Sequence, residues 1–172
     1  LVQFAIPYNS DAALDLGRKV GSFIRETAWS ESENLAKSRG EFPAYEGSRL
    51  QEMGMPPVRH SSVTTIAPTG TISRLADTSS GIEPHFALSW WSNILWEDHE
   101  GTSTRFLDSP GPIRNALIQE VGEEQADTVL RKLADDPTWV DESVKMIIDK
   151  HGVRTAMAID PSWHVKMQAA WQ

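Results

Sequence analysis

The stretch from Thr64 to Pro84 limits this chain's options more than any other. Ser62-Val63-Thr64-Thr65-Ile66-Ala67 is short and rich in β-branched residues, which predicts a strand. It runs into Pro68-Thr69-Gly70-Thr71-Ile72-Ser73, and Arg74-Leu75-Ala76 can then form a turn or two of helix. A strand that turns through Thr-Gly-Thr into a helix leaves free backbone amides at the helix start. Those amides, the positive end of the helix dipole and the hydroxyls of Thr69, Thr71 and Ser73 suit a phosphate group. Gly70 lets the backbone approach an anion with no side chain in the way. On residue chemistry alone, a plain strand-to-helix turn capped by hydroxyls accounts for the same letters.

The rest of the chain reads as helix and loop around this stretch. Ser10 and Asp11 open a helical pattern carried by Ala13, Leu16, Val20, Phe23 and Ile24. A second helical stretch, about Ser30 to Ser38, stops at Gly40, a C-terminal cap. Residues 41–57 hold Pro43, Gly47, Gly54, Pro56 and Pro57 and predict a long loop, functional or braced by its neighbours. A turn-rich segment from Asp77 to Pro84 leads to a strand-like, aromatic run from Phe86 to Trp96. After about residue 110 the pattern is mostly helical. Helices are expected from Pro112 to Val121, from Glu123 to Leu133, and from Trp139 to Lys150, where Val140, Val144, Ile147 and Ile148 share a face. The last has Asp160-Pro161 as cap and first turn, with Trp163, Met167, Ala170 and Trp171 as one buried stripe. There is no internal repeat or linker, so residues 1–172 are read as one partial α/β domain. Leu1 in place of Met, and a final helix without a cap, lead us to expect truncation at both ends.

Composition excludes several classes of function. A net charge of −8 does not suit a DNA- or RNA-binding surface, yet leaves room for a nucleotide site built from a few amides. No apolar run is long enough to cross a membrane and no signal peptide is recognisable, so a cytoplasmic location is expected. With no cysteine, disulfides and thiolate metal sites are impossible, and thiol chemistry has to come from elsewhere. His60, His85, His99, His151 and His164 lack the spacing of known zinc motifs, so no metal site is expected. His164, on a predicted helix, reads as packed or hydrogen-bonded. Glu97, Asp98 and Glu100 read as a solvated acidic loop. Neither a Gly-x-Ser-x-Gly nucleophile motif nor a Walker loop is present.

The wording of two segments adds a resemblance. Thr65-Ile66-Ala67-Pro68-Thr69-Gly70-Thr71-Ile72-Ser73, followed by Ser79-Ser80-Gly81-Ile82-Glu83-Pro84, closely resembles the phosphate-loop region of adenosylcobalamin-dependent (class II) ribonucleotide reductases. His164, Met167-Gln168-Ala169-Ala170 and Gln172 resemble the helix that precedes that family's threonine-aspartate-asparagine stretch. Leu35-Ala36, Gly40 and Phe42-Pro43 are similar to a pattern that precedes its phosphate loop.

This resemblance implies a segment of a ten-stranded α/β barrel in the catalytic subunit. Thr69, Gly70, Thr71, Ile72 and Ser73 would hold the phosphates of a ribonucleoside di- or triphosphate. The complete enzyme would replace the ribose 2′-hydroxyl with hydrogen by thiyl-radical chemistry. It would use adenosylcobalamin, a thioredoxin-like reductant, and cysteines on the rest of the catalytic chain. None of those cysteines is here, so no residue is given a catalytic role and the segment alone is expected to be inactive. A split-gene subunit, or a non-catalytic phosphate-binding remnant, is the alternative. A class I enzyme is a further one, against which the Ala-Pro-Thr-Gly-Thr-Ile-Ser wording speaks. Two departures stand out. Arg59-His60-Ser61-Ser62 replaces the family's Arg-Asn-Ala, which puts a local hydrogen-bond pattern in doubt, and the run from Trp90-Trp91 to His99-Glu100 maps onto nothing in the family. Glu83 reads as a brace in a Gly-Ile-Glu-Pro turn.

Overall fold

Helices dominate after residue 110 because their apolar residues recur at helical spacing. In the computed structural model, which describes residues 1–95 and 103–172, α4 (Gly111–Val121) buries Ile113, Ala116 and Leu117. α5 (Glu123–Asp135) buries Ala126, Val129, Leu130 and Leu133, and α6 (Glu142–Lys150) buries Val144 and Ile147. These side chains and Leu88 and Val153 form one core, with Ile113, Leu117, Val129 and Ile147 fully shielded from water. Three of the helix boundaries have a chemical cause. Pro112 enters at the first turn of α4, Gly122 has φ +82° between α4 and α5, and Asp141 accepts the Val144 N–H at 3.0 Å. Val140 departs from its predicted place, since it precedes α6 and is half exposed.

The chain divides into two compact units. The first comprises Leu1–Leu14 and Pro68–Gln168 and holds the core just described. It also holds an antiparallel hairpin, β1 (Trp90–Leu95) with β2 (Ser103–Asp108), in the register Trp90 to Asp108 and Leu95 to Ser103. β1 falls inside the predicted aromatic strand, although residues 86–89 are not part of it. Its partner β2 had no clear sequence signal. The hairpin is tied to α5 where the Trp91 indole N–H donates to Asp135 at 2.7 Å. It is tied to the preceding chain where the Ser109 hydroxyl donates to the Leu88 carbonyl at 2.8 Å. Trp96, Glu97, Asp98, His99 and Glu100, singled out in the sequence, lie outside the described residues.

The second unit comprises Asp15–Ala67 and Ala169–Gln172. The two helices expected before Gly40 are a single helix, α1 (Asp11–Arg39), because nothing between Ile24 and Ser30 breaks it. Gly40, at φ +78°, ends it with its N–H on the Ala36 carbonyl. The predicted face of α1 is buried only at its start, where Ala13 is buried and Leu16 half-buried. Phe23 is 71% exposed, and Val20 and Ile24 are also exposed, while Gly17, Gly21, Ser32 and Ala36 are buried. The close approach explains this: a Cβ on Gly21 would lie 3.2 Å from the Trp171 carbonyl oxygen. The 41–57 loop contains one short helix, α2 (Arg49–Glu52), and is braced as expected. The buried Tyr45 donates to the Met55 carbonyl, and the Arg59 guanidinium reaches the carbonyls of Arg39, Gly40 and Glu41.

One expectation about regular strands needs correction. Residues 62–67 form no strand. Among the described residues they have no backbone partner, and a β-branched run without a neighbouring strand has no ladder to join. The described chain is helix-rich with a single two-stranded sheet, and that sheet is not closed.

Candidate functional site

Helix α3 (Gly70–Leu75) begins four residues before Arg74, within the Thr-Gly-Thr motif rather than after it. Thr69 precedes it in the left-handed region, φ +49°, which sends the chain sharply from Pro68 into the helix. The Ser73 N–H bonds to the Thr69 carbonyl at 2.9 Å, closing the first turn. The amides of Gly70, Thr71 and Ile72 precede that bond and point away from the helix body, as the first amides of any helix do. Gly70 is exposed and has space around it: a Cβ there would meet nothing within 4 Å.

Thr69, Gly70, Thr71, Ile72 and Ser73 therefore lie together on one short segment, but they are not equivalent. Thr71 and Ile72 are exposed. Ser73 is buried, and its hydroxyl donates back to the Gly70 carbonyl at 3.1 Å. The Thr69 hydroxyl oxygen accepts the Gly81 N–H at 2.9 Å, joining the first loop to the second. In that second loop Glu83 turns its carboxylate back to accept the Ile82 N–H at 3.0 Å.

Gly70 and Ser73 open onto a cleft of about 720 Å³ in the first unit, a volume suited to a small organic ligand. Sequence reasoning missed its charged lining. Arg74, one helical turn after Gly70, pairs with Asp108 at 2.9 Å, and Arg114 lies 3.6 Å from Asp77 and donates to the Ser109 carbonyl. Only the spacing of Arg74 from Gly70 was visible in the sequence. The approach of α4 to Asp77 is close, since a Cβ on Gly111 would collide with the Asp77 backbone.

Each described histidine has a bland local role. His85 is partly buried and its carbonyl accepts the Ala156 N–H; burial pushes its imidazole below the ordinary value. His164 packs its ring 6.3 Å from that of Tyr8. His151 bonds to Glu120 at 2.9 Å. His60, the departure flagged above, is well satisfied: its N–H donates to the Ser32 hydroxyl at 3.0 Å and its Nδ1 lies 3.1 Å from the same oxygen. Among the described residues no cluster of three or more potential ligands could hold a metal ion. No described helix is long and apolar enough to cross a membrane.

A helix-rich chain with an anion-suited turn at the edge of a cleft is a common class; comparison with known proteins narrows it. The ribonucleotide reductase barrel domain matches residues 1–172, and the chain belongs to that family. It is 39% identical over its whole length to a vitamin B12-dependent ribonucleoside-diphosphate reductase of Thermoplasma acidophilum. A Mycobacterium tuberculosis protein of the same description is 33% identical, also over the whole chain. The large subunit of a ribonucleoside-diphosphate reductase of Acanthamoeba polyphaga mimivirus is 29% identical over 48% of the chain. The chain spans 21% of the first of these relatives and 23% of the second, about a fifth of a longer protein.

Proposed function

We propose that this chain supplies the substrate-phosphate loop of a cobalamin-dependent ribonucleotide reductase. In this reading residues 69–73 hold the diphosphate of a ribonucleoside diphosphate. The amides of Gly70, Thr71 and Ile72 donate to phosphate oxygens, and Thr71 adds its hydroxyl. The observation that carries the reading is the open space at Gly70, beside free first-turn amides on the rim of the cleft. The names of the full-length matches favour a diphosphate over a triphosphate. Ser73, with its hydroxyl turned inward, shapes the loop and offers its backbone.

The complete protein would form a ten-stranded α/β barrel and work in the cytoplasm. It would reduce ribonucleotides through cysteines outside this segment, with a thioredoxin-like protein as reductant. Adenosylcobalamin would generate the thiyl radical there. The cofactor's radical chemistry would belong to parts of the complete protein outside this segment. The contribution of these residues is to bind and orient the substrate.

The test uses the complete protein with ribonucleoside diphosphates and a dithiol reductant, with and without adenosylcobalamin. Deoxyribonucleotide formed only with the cofactor, and inhibited competitively by inorganic pyrophosphate, is the expected result. Turnover independent of cobalamin, or no turnover, would refute the assignment.

A further inference from the structure

We propose that Tyr8 and Glu83 are positioning residues for the phosphate loop, acting through a hydrogen-bonded latch that runs Tyr8–Ile82–Gly81–Thr69. The inference rests on the phosphate-loop reading and adds what holds that loop at its working angle.

The latch has three links. The Tyr8 hydroxyl donates to the Ile82 carbonyl at 3.0 Å, joining segments 74 residues apart in sequence. The Ile82 N–H is taken by the Glu83 carboxylate, so both polar groups of residue 82 are fixed. Gly81, next in line, donates its N–H to the Thr69 hydroxyl oxygen. Gly81 has φ +58°, a conformation that favours glycine, so the bend that aims its N–H at Thr69 suits this residue.

Thr69 needs such support. A β-branched residue is disfavoured at φ +49° and holds that conformation only where its surroundings over-determine it. With Thr69 fixed, the amides that follow it have a set direction. The Thr69 side chain thereby acquires a use besides phosphate binding, because its oxygen accepts from Gly81 while its O–H stays available as a donor. Tyr8 is well placed to anchor the far end. It is buried, with its ring beside that of His164. Burial, with the Glu83 charge as the second cause, pushes its hydroxyl up to about 12, so it stays a donor at any working pH.

The test compares four variants of the complete protein: Tyr8→Phe, Thr69→Val, Thr69→Ser and the double Tyr8→Phe/Thr69→Val. Readouts are nucleotide KM, kcat, the inhibition constant of inorganic pyrophosphate, melting temperature and hydrogen exchange of residues 78–84. Loss of one neutral hydrogen bond predicts that Tyr8→Phe and Thr69→Val each raise KM and the pyrophosphate constant roughly three- to tenfold. Exchange of residues 78–84 should quicken in both, and in Tyr8→Phe, which lies outside the binding loop, kcat should stay within about twofold. Thr69→Ser should restore binding, and the double variant should fall short of the product of the singles. Leu117→Ala, a core change remote from the loop, should lower the melting temperature with KM unmoved. If exchange quickens in Tyr8→Phe and KM does not rise, the latch exists but positions nothing, and the proposal is overturned. Gly70→Asp is run alongside to separate the two failures. If it too leaves nucleotide binding intact, the phosphate-loop reading is wrong and the latch proposal falls with it.

Discussion

Replacing Gly70 by Asp isolates the electrostatics of the phosphate loop because the structure has room for the change. A Cβ at this position meets nothing within 4 Å, and Gly70 is not among the residues with positive φ. A carboxylate in the first turn of a helix also complements the helix dipole, so the fold should be undisturbed. Nucleotide binding should suffer. A diphosphate held by the amides of residues 70–72 would sit about 5 Å from the new carboxylate, where two unit charges repel by about 0.8 kcal/mol in bulk water and about 3 kcal/mol at an effective dielectric of 20. The cleft is open to solvent, and its nearest cations, Arg74 and Arg114, are already engaged with Asp108 and Asp77. Two phosphate charges in that intermediate setting give a loss of about 2 to 3 kcal/mol, roughly a 30- to 150-fold weaker Kd. Gly70→Asn is the control, equal in size and neutral. Calorimetric titration of the complete protein with a ribonucleoside diphosphate should show the Asp variant binding far more weakly than the Asn variant. The gap should narrow as salt is raised. Equal affinities for the two variants, within about twofold, would refute the placement of phosphate at this turn.

Two predictions concern the scaffold that carries the loop. Leu117, fully buried between α4, α5 and α6, should lose about 2 to 5 kcal/mol of stability on replacement by Ala, measured by urea unfolding of the complete protein. A loss below about 1 kcal/mol would mean that the core of the first unit is looser than described. Glu120 accepts from Lys150 at 2.6 Å and from His151 at 2.9 Å, and these bonds, that to Lys150 foremost, hold its carboxyl below the usual range. A carboxyl depressed on folding adds stability above its unfolded value and loses it as pH falls through the folded one. Below pH 4.5, the ordinary glutamate value, the melting temperature of the wild type should therefore fall more steeply than that of Glu120→Gln; parallel curves would contradict the pairing.

How much of this was legible in the sequence follows from the range of the forces involved. α4, α5 and α6 were readable because their signals are local: apolar residues at i, i+3 and i+4, a proline at the start of α4 and an aspartate cap on α6. The same reasoning failed for residues 62–67, since a strand is defined by a neighbour and β-branching alone cannot supply one. It also failed for the buried face of α1 beyond its start. Hydrophobicity pointed to Val20, Phe23 and Ile24, whereas the contact with Trp171 is made through Gly21, a residue whose value lies in how little space it fills. Patterns built on hydrophobicity do not register small residues as a packing surface.

The candidate site divides along the same line. Thr69, Gly70, Thr71, Ile72 and Ser73 are contiguous, and their chemistry could be read directly as a turn with free amides. What surrounds them could not. The bond from Gly81 to Thr69 joins residues 12 apart, that from Tyr8 to Ile82 joins residues 74 apart, and Arg74 meets Asp108 only after the hairpin returns. Two side chains expected to face phosphate also make bonds within the protein, one local and one between loops. The Thr69 oxygen goes to Gly81 and the Ser73 hydroxyl to the Gly70 carbonyl, leaving backbone amides and Thr71 facing outward. On the proposed reading the loop binds through its backbone, and so depends on whatever fixes that backbone. Selectivity for phosphate at this turn should therefore respond to changes at Tyr8 and Gly81, remote from the anion, as well as to changes at Gly70 itself.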